Sequence, residues 1–200
     1  MHRASLTDEI AASAARLVVE EGLDYASAKQ KAARQLGRHG GRDGALPSHE
    51  ALEDEVRDYL ALFCADTQPA ELRCLRELAL VWMQRLAEFN PHLSGAAWRG
   101  TATRRSPVWI DLYVDDPKAP EIAFLNAGLD IDSQGGDGDD GLGVLSTAVY
   151  SRELQDTITL HFIVHDHDEL RGALKPDSRG RTWRGDSAAV RRLLAQDATP

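Results

Sequence analysis

The chain has 200 residues, of which 42% are hydrophobic and 28% charged, values of a globular chain long enough to bury a core without staples and unlike those of a disordered one. Its formal net charge of −9 argues against wrapping nucleic acid, which needs a basic surface to displace counterions from phosphates. The first residues carry no apolar signal region and no apolar run is long enough to span a bilayer, so a soluble, cytoplasmic protein with no membrane partner is expected.

Helical signals come first. Thr7 reads as an N-cap, with Asp8 and Glu9 in the first turn, where they complement the helix dipole. Ile10, Ala14, Leu17, Val18 and Val19 continue an apolar face to Gly22. A second helix is predicted over 25–36, with Ala28, Ala32 and Leu36 inward and Gly37 as its stop. Residues 37–44, rich in glycine, read as a linker. The predicted organisation is a helical hairpin over 1–38, a linker over 39–47 and one larger domain over 48–200. Ser48 then caps a helix bearing Leu52, Val56, Leu60 and Phe63. Another starts near Pro69, a good first-turn residue, carries Leu72, Leu75, Leu78, Trp82, Leu86 and Phe89, and ends at Pro91. Cys64 and Cys74 lie in helical pattern without zinc spacing and read as reduced core residues.

The period then changes. Val108, Ile110, Leu112 and Val114 alternate with Trp109, Asp111, Tyr113 and Asp115, the pattern of a half-buried strand. A helix is predicted over 117–127, short strands over 129–132 and 144–150, and an acidic loop over 135–141 between them. Ile158, Leu160, Phe162 and Val164 alternate with Thr159, His161, Ile163 and His165 in the clearest strand, and 187–194 closes as a helix. Helices followed by a small mixed sheet flanked by helices make an α+β fold.

Residues 94–116, SGAAWRGTATRRSPVWIDLYVDD, carry the chemical interest: a small-residue turn, an Arg/Thr-rich loop, then a strand. With DDPK at 115–118 and LRGALKPD at 170–177, this stretch resembles the nucleotidyltransferase superfamily, and within it a group of bacterial proteins of similar length. The resemblance implies a nucleotidyltransferase-like fold, in which a Gly-Ser turn holds phosphates and two alternating carboxylates on the next strand, with a third on a later strand, hold Mg²⁺. The sequence departs from that pattern. Gly95-Ala96 stands where Gly-Ser is wanted, and Pro107, Trp109 and His161 stand at the carboxylate positions. Pro and Trp offer no oxygen ligand of the kind Mg²⁺ requires. The expectation is therefore a catalytically degenerate protein with no catalytic residues, no Mg²⁺ and no other cofactor, binding a nucleotide or other phosphorylated ligand.

Proteins of this group are often labelled UDP-N-acetylmuramate–alanine ligase, which would imply ATP-driven peptide ligation. A P-loop for that chemistry needs a Lys after Gly, and none of the four lysines, Lys29, Lys31, Lys118 and Lys175, has one. A third reading makes the N-terminal helices a protein-interaction module.

Candidate sites follow from residue type. Gly95, Arg99, Gly100, Thr101, Thr103, Arg104 and Arg105 combine backbone amides, hydroxyls and guanidinium groups, the components of an anion cradle. Asp111, with Asp115 or His161, is a metal set under a slipped register, suited to a transition metal better than to Mg²⁺. The run 165–168, His-Asp-His-Asp, lacks an evident third ligand, and 137–141 lacks the spacing of a calcium loop. Arg171, Lys175, Arg179, Arg181 and Arg184 form a second basic cluster that reads as solvated. Trp109, Tyr113, Thr159, His161 and His165 would share a sheet face if their strands are neighbours, either to stack an aromatic ligand or to pack under helices.

Overall fold

The computed structural model describes residues 5–36, 46–134 and 143–197. The 37–44 linker and the 135–141 loop, with its 137–141 motif, lie outside them. The chain divides into two compact units, 1–69 and 70–200.

In the first unit α1 (Leu6–Glu21), α2 (Tyr25–Gln35) and α3 (His49–Phe63) bury Ile10, Ala14, Leu17, Ala28, Ala32, Leu52, Val56 and Leu60 together. The small residues on α1 and α2 let the helices approach closely. The N-cap of α1 is Ser5 rather than Thr7: Ser5 Oγ accepts the Asp8 N–H and Asp8 Oδ2 accepts the Ser5 N–H, a reciprocal capping box. Gly22 ends the helix in the left-handed conformation. Two expected core residues point outward, Leu36 at 41% and Phe63 at 69% exposure, since each falls at the last turn where the apolar stripe has run out of partners. Helix α3 packs on α1, so the division falls between Pro69 and Ala70 and not within 39–47.

The second unit opens with α4 (Gln68–Arg85), followed by β1 (His92–Ser94), α5 (Gly95–Arg99), β2 (Val108–Val114), α6 (Ala119–Asn126), β3 (Asp132–Gln134), β4 (Gly143–Ser151), β5 (Asp156–Asp166), α7 (Leu170–Ala173), β6 (Arg184–Gly185) and α8 (Ser187–Gln196). One mixed sheet holds the strands in the order β3-β4-β5-β2-β1-β6, with β2 and β5 parallel and the other pairs antiparallel. Its even-numbered face on β2 and β5 is the core. Val108, Ile110, Leu112, Ile158, Leu160 and Phe162 pack with Leu75, Trp82 and Met83 of α4 and Phe124 of α6. Trp82, Phe124 and Phe162 form a three-ring contact, with centroids 4.9 to 6.2 Å apart. The α+β class and the helix-flanked sheet are as the sequence predicts. Among the described residues no helix is long and apolar enough to cross a membrane.

The C-terminal stretch is tied to α5. Trp98 donates its indole N–H to the Thr182 carbonyl at 2.9 Å and lies flat against Gly185, where a Cβ would sit 2.1 Å from the ring. Arg99 contacts Asp177 Oδ2 at 3.4 Å, donates to the Thr182 carbonyl and stacks 4.4 Å over Trp183. Asp177 also accepts the Arg179 and Arg181 amides and pairs with the Arg181 side chain. Those amides, followed by the two guanidinium groups, hold its carboxyl below the usual aspartate range. Its contribution to stability is therefore full above the ordinary carboxylate range and is lost as pH falls through its own lower value. Thermal melts of the parent and of Asp177→Asn, from about pH 5 to about pH 2, should show a gap that closes in acid. A gap that stays constant with pH would contradict this assignment.

Candidate functional site

The odd-numbered face of β2 and β5 carries the polar side chains. Parallel pairing sets Trp109 beside His161 and Tyr113 beside His165. Antiparallel pairing adds Ser94 beside Trp109, His92 beside Asp111, Arg184 beside Ser94 and Ser146 beside His161. The expected sharing of a face by Trp109, Tyr113, Thr159, His161 and His165 thus holds. Two clusters occupy its two ends.

The first cluster surrounds the start of β2 and β5. Residues 103–106 form a tight turn: the Ser106 N–H donates to the Thr103 carbonyl at 2.8 Å, the Thr103 N–H to Ser106 Oγ at 3.0 Å, and the Arg105 N–H to Thr103 Oγ1 at 3.4 Å. The turn's two central residues are Arg104 and Arg105, both exposed. Glu71 of α4 takes the Arg104 backbone N–H at 3.0 Å. Among the described residues neither guanidinium group meets a carboxylate, although Arg57, Arg73, Arg76, Arg99, Arg181 and Arg184 all do. A cleft of about 380 Å³ lies beside the turn, lined by Arg104, Arg105, Ser106, Thr157, Thr159 and His161, with Pro107, Ile158 and Asp156.

His161 stacks on Trp109 with ring centroids 4.2 Å apart, and its Nδ1 lies 2.8 Å from Ser146 Oγ. Burial pushes its imidazole below the usual histidine range, so the ring is neutral at neutral pH and offers the cleft a polar, uncharged edge. Gly95 has a φ of +63°, and a Cβ there would stand 3.1 Å from the Trp109 ring. The positions at which the family resemblance implies the phosphate turn and the metal carboxylates, Gly95, Pro107, Trp109 and His161, therefore lie at one end of one sheet face.

The remaining cradle residues do not join this cleft. Arg99 is engaged with Asp177 and Trp183, as described. Gly100 ends α5 in the left-handed conformation. Thr101 and Thr103 are buried, at 2% and 6% exposure. Thr103 spends its hydroxyl within the turn, so of the predicted set only Arg104 and Arg105 line the cleft.

The second cluster is centred on Asp111, which is not solvated: it is 2% exposed. His165 Nε2 lies 2.9 Å from Asp111 Oδ1, and since a carboxylate only accepts, that nitrogen is the donor in this contact. Arg184 of β6 reaches Asp111 Oδ2 at 3.4 Å and donates to the Tyr113 hydroxyl. His165 stacks on Tyr113, and its Nδ1 lies 3.2 Å from Glu169 Oε2. Burial and then the Asp111 charge raise the Tyr113 phenol, which keeps it a neutral donor and acceptor.

These contacts correct the candidate metal set. Asp111 pairs with His165, four residues further along β5 than His161, whose partner is Ser146. Asp115 is exposed beyond the end of β2. Among the described residues no group of three His, Cys, Asp or Glu side chains is placed to hold a metal. His167 and Asp168 belong to an exposed helical turn that Asp166 caps, so the 165–168 run is split between a strand and a cap. Arg181 and Arg184, expected in solvent, are paired.

Asp156, Thr157 and Ser146 are absent from the candidate residues read from the sequence, and Arg184 enters there only as part of a solvated basic cluster. Thr157 and Thr159 lie on the same strand as His161, a signal within reach, whereas Ser146 and Arg184 join the site only through strand pairing. Comparison with protein-family models, with curated proteins and with solved structures gives no match to this chain.

Proposed function

We propose that this protein binds a phosphorylated small molecule or nucleotide in the cleft beside residues 103–106, as a catalytically degenerate relative of the nucleotidyltransferases acting in the cytoplasm. The observation that carries the reading is the pair Arg104 and Arg105. In this acidic chain the two stand together on a preorganised turn beside the cleft and, among the described residues, neither has a carboxylate partner. Guanidinium forks and hydroxyl donors suit phosphate oxygens. The gathering of Gly95, Pro107, Trp109 and His161 beside the cleft supports the kinship. The residue types at 107 and 109 support the loss of chemistry, since neither can hold Mg²⁺.

Arg104→Ala with Arg105→Ala is the test. Both side chains are exposed, so the double variant should melt with the parent in ligand-free buffer. The parent should gain several degrees with a saturating phosphate or nucleotide ligand, as expected when ligand stands at about 100 times its Kd, and the double variant should gain almost nothing. A parent protein that responds to no compound in a phosphate and nucleotide series would overturn the proposal.

A further inference from the structure

We infer that the ligand of this cleft carries a hydrogen-bond donor, a hydroxyl or an ammonium, beside its phosphate, and that Asp156 is the residue that reads it. The inference rests on the phosphate reading above and narrows it. Asp156 opens β5 and lines the same cleft as Arg104 and Arg105. Its Oδ1 accepts the Thr157 N–H at 2.8 Å, which fixes the carboxylate at the cleft wall. Among the described residues its Oδ2 has no partner and forms no ion pair with either arginine, although all three line one space.

A site for a bare phosphate ion gains nothing from such a group, because a carboxylate beside the anion repels it. A ligand with a donor a few ångströms from its phosphate turns that repulsion into a charge-assisted hydrogen bond. The cleft volume agrees. About 380 Å³ falls in the range of pockets for small organic molecules, roughly 300–1,000 Å³, and leaves room beyond a phosphate group. The two guanidinium groups lie on the turn before β2 and the carboxylate at the start of β5, so the site spans both strands and matches an extended ligand with opposite hydrogen-bonding ends. A carboxylate placed to bond a ligand donor also discriminates against the analogue without it, because that analogue forgoes the charge-assisted hydrogen bond and keeps the repulsion.

Titration of the full chain with three phosphomonoesters tests this: methyl phosphate, which has no donor beyond the phosphate, ribose 5-phosphate, which offers hydroxyls, and phosphoethanolamine, which offers an ammonium. The parent should bind one of the donor-bearing compounds at least about tenfold more tightly than methyl phosphate, and the preferred one identifies the donor. Asp156→Ala should erase that preference and bind methyl phosphate as tightly as the parent or better, since a like charge has gone. Asp156→Asn, which keeps an acceptor oxygen without the charge, should retain part of a hydroxyl preference and lose an ammonium preference. Equal binding of all three by the parent, or a preference that survives Asp156→Ala, overturns the inference while leaving phosphate binding intact. Binding of none of them removes the phosphate reading and this inference together.

Discussion

Asp111→Ala should lower the stability of the second unit by about 3–5 kcal/mol, the cost of breaking a buried charge pair from one side. The carboxylate is 2% exposed, lies 2.9 Å from His165 Nε2 and 3.4 Å from Arg184 Nη1, and is the common partner of both. Removing it strands the guanidinium group of Arg184 and leaves the His165 N–H without an acceptor. Arg184→Ala in the same chain should restore part of the loss, because the stranded cation is then gone. The readout is simple, since the tryptophans, Trp82, Trp98, Trp109 and Trp183, all lie in the second unit, so indole fluorescence in a denaturant series follows that unit alone. Effects of the two substitutions that add within about 0.5 kcal/mol would show that the pair is not coupled.

Gly185→Ala should cost about 1–3 kcal/mol or more as overpacking. A methyl group there would stand 2.1 Å from the Trp98 ring, far inside contact distance. The ring has little freedom to retreat, because its N–H is held by the Thr182 carbonyl and Gly185 itself is paired with Leu93 in the sheet. The double variant Gly185→Ala with Trp98→Leu, which opens space for the methyl, should be more stable than the sum of the two single effects predicts. If Gly185→Ala melts with the parent, the close approach of Trp98 is not a constraint on this position.

The strands β2 and β5 were legible because their alternation is strict. Over 108–114 and 158–164 every second residue is aliphatic or aromatic, and period two leaves no other reading. The strands β1 and β6 were not legible: three and two residues are too few to show a period. Their absence from the sequence reading had a chemical consequence, because Arg184 on β6 pairs with Asp111 and His92 on β1 stands beside it. An aspartate in an alternating strand looks solvated until the neighbouring strand that covers it is known. The placement of the candidate cradle residues was half legible for the same reason. A cluster of Arg and Thr in sequence marks a loop with donors, but whether each donor faces a ligand or another part of the chain depends on partners such as Asp177, nearly eighty positions away from Arg99 and unmarked by any local pattern. The placing of the helix that begins at Ser48 with the larger domain, where the structure packs it on α1, has the same cause: an amphipathic stripe says that a helix will be covered, without naming what covers it.

The turn at 103–106 satisfies its own backbone. Its amides and hydroxyls bond to one another and to Glu71, and nothing in that arrangement uses the side chains of Arg104 or Arg105. Under the proposed anion-binding reading, folding and recognition are therefore separable at these two positions. Random libraries at 104 and 105 should yield mostly folded proteins whose ligand preferences differ, so natural variants could exchange one anionic ligand for another, or abandon anions, by single substitutions that leave the scaffold untouched. A socket of this kind lets selection act on what is bound without first having to rescue the fold.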